Sequence, residues 1–378
     1  MPGTDDNVLF FAEAWGVGGI ESFILNAAGC LARRGCRSTV FAVYEYDDSL
    51  VSRLADGGVR LVTAFRDEKP GLAKRLAAGV KAFRHELQTH SYDVVHANIM
   101  NGTGFAYLHE ARRAGISVRV AHSHNSRFSA GMRGMKSLAH GAGRALWGAD
   151  CTKRLACSEE AGRYLFGSAP FTVVPNSIDT ERFAYDEARR ESLRRRLSVE
   201  PGQLLVGNVS RINAQKNPLF QLEVFSALLS EVPDAKYCMV GTGDMEQRVR
   251  EEIERRDLSS HVMLLPATTS PEDFYAAFDV LLFPSLFEGL SMTLVEAQCG
   301  GLPCVVSDGI SAETEVTDLL ERVPLEEGAQ RWATQVADVW RASARSRAER
   351  TRYAEEIAKA GFGLQSLSAC LERAYGCA

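Results

Sequence analysis

The sequence predicts an α/β protein made of two doubly wound, parallel-sheet domains, and three observations lead there. The chain has 378 residues, more than one hydrophobic core usually organises. Short apolar runs alternate with longer amphipathic segments from end to end, the pattern of a parallel sheet covered by helices on both faces. That pattern stops about midway, at a stretch rich in turn formers and charge, and then restarts.

In the first half, Val8–Ala12, Ser38–Val43, Val59–Val62, Asp93–His96 and Val118–His122 read as strands, because each is a short apolar run bounded by polar residues. Helical periodicity lies between them at Glu21–Arg34, Gly71–Thr89 and Gly104–Ala114. Gly167–Gly202 carries Pro170, Pro175 and Asn176, then RRESLRRRLSVEPG, and reads as a connection followed by one surface helix. The second set of strands is Leu204–Val209, Tyr237–Val240, Val262–Leu265, Val280–Phe283 and Cys304–Ser307, with helices at Leu219–Leu229, Met245–Arg256 and Thr293–Cys299. Past Trp332 the chain turns strongly helical and ends in a charged amphipathic tail. The expected boundaries are 1–175 and 176–359, with a helix in 360–378 rejoining the first domain. There is no low-complexity segment and no repeat of long period. Two such halves would gather strand ends around a shared cleft, where α/β folds bind ligands.

Composition narrows the function. Hydrophobic residues make up 46% and charged residues 24%, ordinary for a soluble globular chain. A net charge of −5 gives no electrostatic case for nucleic acid as a partner. The opening MPGTDDNVLFFAEAW puts two acids, and no basic residue, before its apolar run, so it reads as a core strand rather than a signal peptide. No apolar stretch approaches the roughly 18 residues that span a bilayer, and a cytoplasmic location is expected. Nine cysteines without a CxxC pair point to reduced thiols, mostly small buried hydrophobes.

The strongest chemical signal is FPSLFEGLSMTLVEA at 283–297. Glu288 follows a buried strand and Glu296 lies about two turns into the next helix. Eight helical residues rise about 12 Å, whereas carboxylates doing hydrolytic acid/base work stand about 5–9.5 Å apart. The spacing fits two acids gripping different hydroxyl groups of one extended ligand. It equally fits a loop acid and a solvated helix residue.

This E-x7-E pair, set in Pro-Ser-x-x-Glu-Gly, resembles the retaining GT-B glycosyltransferases of family four, most nearly the branch that builds capsular and exopolysaccharides. Four further segments agree in order and spacing. They are Gly16-Val-Gly18-Gly19-Ile-Glu21-Ser, Val174-Pro175-Asn176-Ser177-Ile178-Asp179, Gly207-Asn-Val-Ser-Arg211 followed by Lys216, and Val240-Gly-Thr-Gly243. The resemblance spans nearly the whole chain, from about residue 7 to residue 340. The resemblance implies the GT-B fold, two Rossmann-like domains facing a central cleft, with the first on the acceptor side and the second holding the donor. It implies a UDP- or GDP-linked sugar donor, no further cofactor, and retaining transfer to a sugar or lipid-linked acceptor in cell-surface polysaccharide or glycolipid assembly.

Individual residues take roles within that frame. Arg211 and Lys216 follow a strand's carboxyl end and precede a helix, so they read as a diphosphate clamp or as solvated loop cations; the resemblance implies the clamp. It also has Glu296 accept hydrogen bonds from the ribose, and Glu288 orient the donor sugar with help from the N–H groups of Gly289 and Leu290. Ser291, where the family often has Pro, can cap the helix with its hydroxyl, and Ser177 stands where Gly often follows Pro-Asn. Gly18 and Gly19 let backbone amides approach an anion, although Glu21 sits where a G-x-G-x-x-G fingerprint needs its third glycine. In similar enzymes this loop faces the donor phosphates and helps admit the acceptor.

His122 and His124 share one strand face and read as a metal pair or as structural histidines; no third ligand is evident, and HELQTH at 85–90 misses the HExxH spacing. The resemblance points to His124 at the donor sugar, with His122 as fallback and His96, His122 and Asn125 toward the acceptor. No D-x-D pair appears, so no divalent metal is expected. Met132 to Trp147 mixes cations with apolar residues and reads as a core-facing helix or a membrane-surface one, the latter implying peripheral contact at the inner face. The rival readings are a nucleotide-sugar epimerase of the same fold and a silent nucleotide-sugar-binding homologue. A nicotinamide dehydrogenase is disfavoured by the first βα turn.

Overall fold

Thirteen strands, all paired in parallel, build two sheets in the computed structural model, which describes residues 7–16, 18–45, 50–66, 71–125, 133–343 and 347–376. The chain divides into two compact units, one running to Ser177 and resuming at Leu364, the other Ile178–Gly363.

The first unit holds β1 (Asn7–Trp15), β2 (Arg37–Glu45), β3 (Arg60–Phe65), β4 (Val94–Ile99), β5 (Val118–Ser123), β6 (Lys153–Ala156) and β7 (Thr172–Val173), in the order β3-β2-β1-β4-β5-β6-β7. β1 reads as a nearly unbroken apolar run because both of its faces are buried. Val8, Phe10 and Ala12 pack with Phe23 and Leu31 on one side, while Leu9 and Phe11 pack with Phe83 and Tyr107 on the other. Truncating a buried Phe of this kind to Ala costs about 3–5 kcal/mol. The terminal helix Leu364–Tyr375 inserts Leu367, Leu371 and Tyr375 into the first of these cores.

The second unit holds β8 (Leu205–Val209), β9 (Lys236–Val240), β10 (Val262–Leu265), β11 (Val280–Phe283), β12 (Cys304–Val306) and β13 (Leu320–Arg322), in the order β10-β9-β8-β11-β12-β13. In each sheet the order reverses at the first strand, which leaves a crevice at the carboxyl ends there. One core lines Leu205, Leu281 and Phe283 against Leu294; the other lines Val206, Tyr237 and Leu282 against Phe225 and Trp332.

Several elements differ from the sequence reading. β6, β7, β13 and the helices Val51–Asp56, Glu159–Phe166 and Pro271–Ala277 were not expected. β7 lies inside the stretch read as connection and pairs with β6 in the first sheet. The expected surface helix, Glu187–Arg196, is only partly on the surface. Arg190 and Arg194 are buried and grip Asp279 at 2.5 and 2.9 Å, and Arg190 also donates to the Ala277 carbonyl at 2.8 Å. Asp279 in turn accepts the Leu205 amide at 2.9 Å, so the charge run anchors the start of β8. Eight cysteines are free thiols among the described residues, seven of them buried. No helix among the described residues is long and apolar enough to cross a membrane.

Candidate active site

In the second unit the loops leaving β8 and β9 are zipped together. Ser210 N donates to Val240 O at 3.0 Å, Ile212 N to Thr242 O at 2.9 Å, and Met245 N to Ile212 O at 3.1 Å. Only glycine permits this approach. Gly241 has φ +150, and a Cβ there would lie 1.9 Å from Ser210 O; one on Gly243 would lie 2.1 Å from Ile212 O. The Gly-Thr-Gly segment therefore shapes the loop that presents Arg211 and Lys216.

Lys216 and Glu288, 72 positions apart, meet at 2.7 Å between Nζ and Oε1. Their backbones are tied as well, since Leu286 N donates to Gln215 O at 2.8 Å and Gln215 Nε2 to Phe287 O at 3.0 Å. The Lys216 ammonium lies 4.6 Å over the Phe283 ring, and both charged side chains are only 12% exposed. Burial pulls Lys216 below the usual lysine range; Glu288 opposes that and the Arg211 charge adds to it. Arg211 is exposed and has no carboxylate partner among the described residues.

The Glu288 backbone is pinned on both sides, its N–H to Gly309 O and its C=O to Ser311 N, each at 3.0 Å. The next two amides, of Gly289 and Leu290, have no protein acceptor among the described residues. Ser291 stands at the N-cap of the helix Met292–Cys299, as expected, but its hydroxyl makes no capping bond. The buried Thr314 holds this turn instead: its Oγ1 accepts from Ser291 N and donates to Gly289 O, both at 3.2 Å.

Glu296 is half-buried on that helix and accepts the Tyr275 hydroxyl at 2.9 Å. Burial pushes its carboxyl up to about 7, with Tyr275 and Arg182 working against the rise and Glu272 adding to it. Arg182 rescues it little, being committed to Glu272 through two hydrogen bonds of 2.8 Å. Glu296 is therefore not a solvated helix acid.

In the first unit Gly18, extended, precedes the helix Gly19–Ala32, which begins two residues earlier than expected. The Glu21 carboxylate is buried against this turn, 2.7 Å from where a Cβ on Gly18 would sit. The loop thus carries its own anion at the helix terminus, against the expected approach of donor phosphates. A Cβ on Gly19 would lie 3.6 Å from Asn176 Nδ2, which joins two of the motifs.

His96, His122 and His124 surround the Phe23 ring, His122 edge-on and the other two tilted. His96 and His122, expected to line an acceptor surface, are completely buried. His96 bonds the Tyr375 hydroxyl at 2.9 Å and His122 at 3.1 Å, so both are interior residues of this unit. The three histidines form no metal-holding group among the described residues. Burial lowers all three, His96 and His124 to about 3. His124 Nε2 lies 2.8 Å from Asn98 Oδ1, and Asn125 donates to Met100 O at 3.4 Å.

Sequence reasoning missed a small pocket at Asn98, lined also by Glu13, Arg75, Asn101, Thr103 and Tyr107. Arg75 and Glu13 pair at 2.7 Å within it. No sequence signal marks them, since they are 62 positions apart on a strand and a helix that both read as ordinary. Beyond it, the segment expected to be helical forms the helix Arg133–Trp147, with Met132 outside the described residues. One face packs so tightly that a Cβ on Gly143 would sit 2.1 Å from Gly102 O. The opposite face, Gly134, Ser137, Leu138, Gly141, Ala142, Ala145 and Leu146, is exposed and uncharged, with Leu138 75% and Leu146 67% exposed.

Two family models match the chain, "Glycosyltransferase Family 4" over residues 17–182 and "Glycosyl transferases group 1" over 189–357. Among relatives, the glycosyltransferase EpsF of Bacillus subtilis is 30% identical over 99% of this chain and 97% of its own length. The Escherichia coli UDP-Gal:alpha-D-GlcNAc-diphosphoundecaprenol alpha-1,3-galactosyltransferase is 27% identical over 59% of each. Among solved structures, Anabaena HepE in complex with UDP and glucose superposes with a TM-score of 0.72 at 19% identity, covering 97% of this chain and 98% of its own. WaaG, involved in lipopolysaccharide biosynthesis, gives 0.67 at 18% identity over 93% and 98%. The chain belongs to the family 4 glycosyltransferases and has their GT-B fold.

Proposed function

We propose that this glycosyltransferase moves a sugar, with retention, from a UDP- or GDP-linked donor to a hydroxyl of a sugar or lipid-linked acceptor, in cell-surface polysaccharide or glycolipid assembly. The observation that carries the reading is the Lys216–Glu288 pair, flanked by the Arg211 guanidinium and the amides of Gly289 and Leu290, which have no protein partner among the described residues. In this reading a diphosphate takes Glu288's place on Lys216 and completes its charge balance with Arg211. Glu288, released from Lys216, accepts a hydroxyl of the donor sugar beside the two amides. Glu296 accepts the ribose hydroxyls, and His124 of the first unit meets the sugar. As the glycosidic bond breaks, negative charge grows on the diphosphate, where the fixed cations stabilise it. The acceptor, held by the first unit, attacks from the same face. The proposal uses no metal and no further cofactor.

The names of the relatives support it: one is a UDP-Gal-dependent galactosyltransferase acting on a diphosphoundecaprenol-linked sugar, and the HepE complexes contain UDP, glucose or UDP-glucose. An epimerase finds no support among them. The test is a thermal-shift panel of nucleoside diphosphates and nucleotide sugars on the wild type, Arg211→Ala and Glu296→Ala. Stabilisation by one base, lost in both variants, supports the reading; no shift with any nucleotide in the wild type overturns it.

A membrane contact belongs to the same proposal, motivated by the uncharged exposed face of Arg133–Trp147. An uncharged helix face with two exposed leucines suits the headgroup boundary of a bilayer, and a lipid-linked acceptor would bring the enzyme to the inner face of the membrane from the cytoplasm. Co-sedimentation with anionic phospholipid vesicles, lost on Leu138→Asp with Leu146→Asp, is the expected result. Sedimentation unchanged in that double variant would remove this part of the proposal.

A further inference from the structure

We propose that the pocket at the carboxyl ends of β1 and β4 binds adjacent hydroxyl groups of an uncharged sugar ring through Glu13, Arg75 and Tyr107. That this sugar is part of the acceptor rests on the glycosyltransferase reading above; the geometry belongs to the first unit alone.

β1 and β4 lie side by side where the strand order of the first sheet reverses, the place where open parallel sheets take their ligands. Glu13 stands near the end of β1, Asn98 near the end of β4, and Arg75 near the start of the helix Leu72–Thr89. The asparagines of the pocket are already engaged. Asn98 donates to Phe11 O and meets His124, while Asn101 Oδ1 accepts both the amide and the hydroxyl of Thr103. Three other groups keep capacity to bind. Glu13 gives Oε1 to Arg75 Nη1 at 2.7 Å, and its Oε2 has no partner among the described residues. The Arg75 guanidinium, 5.6 Å over the Tyr44 ring, has further N–H groups besides the one it gives to Glu13. Tyr107 lines the pocket and is only 3% exposed, yet its hydroxyl has no hydrogen-bond partner among the described residues.

Packing does not call for that hydroxyl. The Tyr107 ring stacks on Phe11 with centroids 3.9 Å apart, a contact that phenylalanine would make as well. Gly79, inside the helix Leu72–Thr89, leaves it room: a Cβ there would sit 2.6 Å from the hydroxyl and 2.9 Å from Val43. Glycine weakens a helix interior, so the space is not free of cost. Burial and the Glu13 charge keep the Tyr107 hydroxyl protonated, with Arg75 working against them, so it can both donate and accept. Charge then selects the ligand. Among the residues lining the pocket Arg75 is the one cation and Glu13 the one acid. A phosphate or carboxylate entering here would meet Glu13, and an ammonium would meet Arg75. Adjacent sugar hydroxyls suit the pair: one donates to Glu13 Oε2, the next accepts from Arg75, and Tyr107 supplies a third bond. The pocket is small, so one edge of a ring enters it rather than a whole saccharide.

The test is saturation-transfer NMR on the full chain with the methyl glycosides of glucose, galactose, mannose and N-acetylglucosamine, beside glucose 6-phosphate and glucuronic acid. At least one neutral glycoside is expected to bind, and more tightly than either charged sugar. Tyr107→Phe removes one hydrogen bond and should weaken that binding about three- to tenfold; Glu13→Gln removes a charged acceptor and should weaken it about tenfold or more. Because the Tyr107 hydroxyl has no partner in the fold, Tyr107→Phe should melt no lower than the wild type, which separates lost binding from lost structure. A wild type that binds none of the neutral glycosides, tighter binding of a charged sugar, or neutral binding unchanged in both variants overturns the proposal. Melting measurements with UDP and GDP separate the two levels. Pocket-dependent glycoside binding without any nucleotide response breaks the glycosyltransferase reading, whereas a nucleotide response without pocket-dependent glycoside binding breaks only the assignment of this pocket.

Discussion

Replacing Glu296 with Gln should stabilise the free protein while weakening its hold on nucleotide. Burial raises this carboxyl from an ordinary 4.5 to about 7. Below pH 4.5 it is protonated in both folded and unfolded chains and contributes nothing to pH dependence. Between 4.5 and about 7 only the folded state keeps the proton, so stability falls as pH rises through that window, and above it the full penalty of a buried carboxylate remains. At roughly 1.4 kcal/mol per pH unit, the penalty at pH 8 is about 3 kcal/mol. Glutamine keeps an oxygen for the Tyr275 hydroxyl, now 2.9 Å from Glu296 Oε2, but carries no charge. For a unit the size of Ile178–Gly363, about 2–4 °C per kcal/mol gives a melting point about 6–12 °C higher at pH 8 and nearly unchanged at pH 4.5. The same amide cannot accept two ribose hydroxyls as a carboxylate does, and a hydrogen bond to a charged group is worth about 1.5–3 kcal/mol. The nucleotide-induced shift should therefore shrink by the equivalent of at least about tenfold in affinity. Differential scanning fluorimetry across pH, with and without UDP or GDP, reads both effects. A Glu296→Gln protein that melts lower at pH 8, or keeps its full nucleotide shift, refutes the reasoning.

Three further outcomes follow from the same geometry. Lys216→Met leaves Glu288 in a nearly closed site without its cation and should cost about 3 kcal/mol, most of which Glu288→Gln restores in the double variant although nucleotide binding stays lost; chemical denaturation of the single and double variants checks it. Asp279→Ala strands Arg190 and Arg194 and should cost about 3–5 kcal/mol by the same measurement, without altering the nucleotide-induced shift of whatever protein remains folded. In the wild type, nucleotide binding should tighten as pH rises through about 7, where Glu296 gains its charge, and calorimetric titration on either side of that value checks the sign.

Much of the fold was legible because buried parallel strands write themselves as apolar runs. β1, β8, β9 and β11 are buried on both faces and stand out in the sequence. β6 begins Lys-Arg, β7 has two residues and β13 reads Leu-Glu-Arg, so none carries a periodic signal; pairing with a neighbour, not their own composition, makes them strands. The RRESLRRR run looked solvated because charge usually is. Its burial depends on Asp279, 85 and 89 positions away, which no local pattern reveals.

The site followed the same division. Lys216 and Glu288 were recognisable as motif residues, but their pairing at 2.7 Å is a fact of topology, produced where β8 and β11 lie side by side. Ser291 was correctly placed at a helix start, yet Thr314 from a distant turn took over the local hydrogen bonding. His96 and His122 looked like site residues because they end strands near the expected cleft. The terminal helix, returning to the first unit, buries His96 beneath Tyr375. Asn98 carried no sequence signal; its hydrogen bonds to the Phe11 carbonyl and to His124 appear only in the structure.

The most direct measurement is a crystal structure of the protein with whichever of UDP or GDP raises its melting point. The diphosphate should lie against the Arg211 guanidinium and the Lys216 ammonium, with the Lys216–Glu288 contact opened and the ribose hydroxyls on Glu296. A nucleotide seated elsewhere, with Lys216 still held by Glu288 and Glu296 still bonded only to Tyr275, would contradict the account.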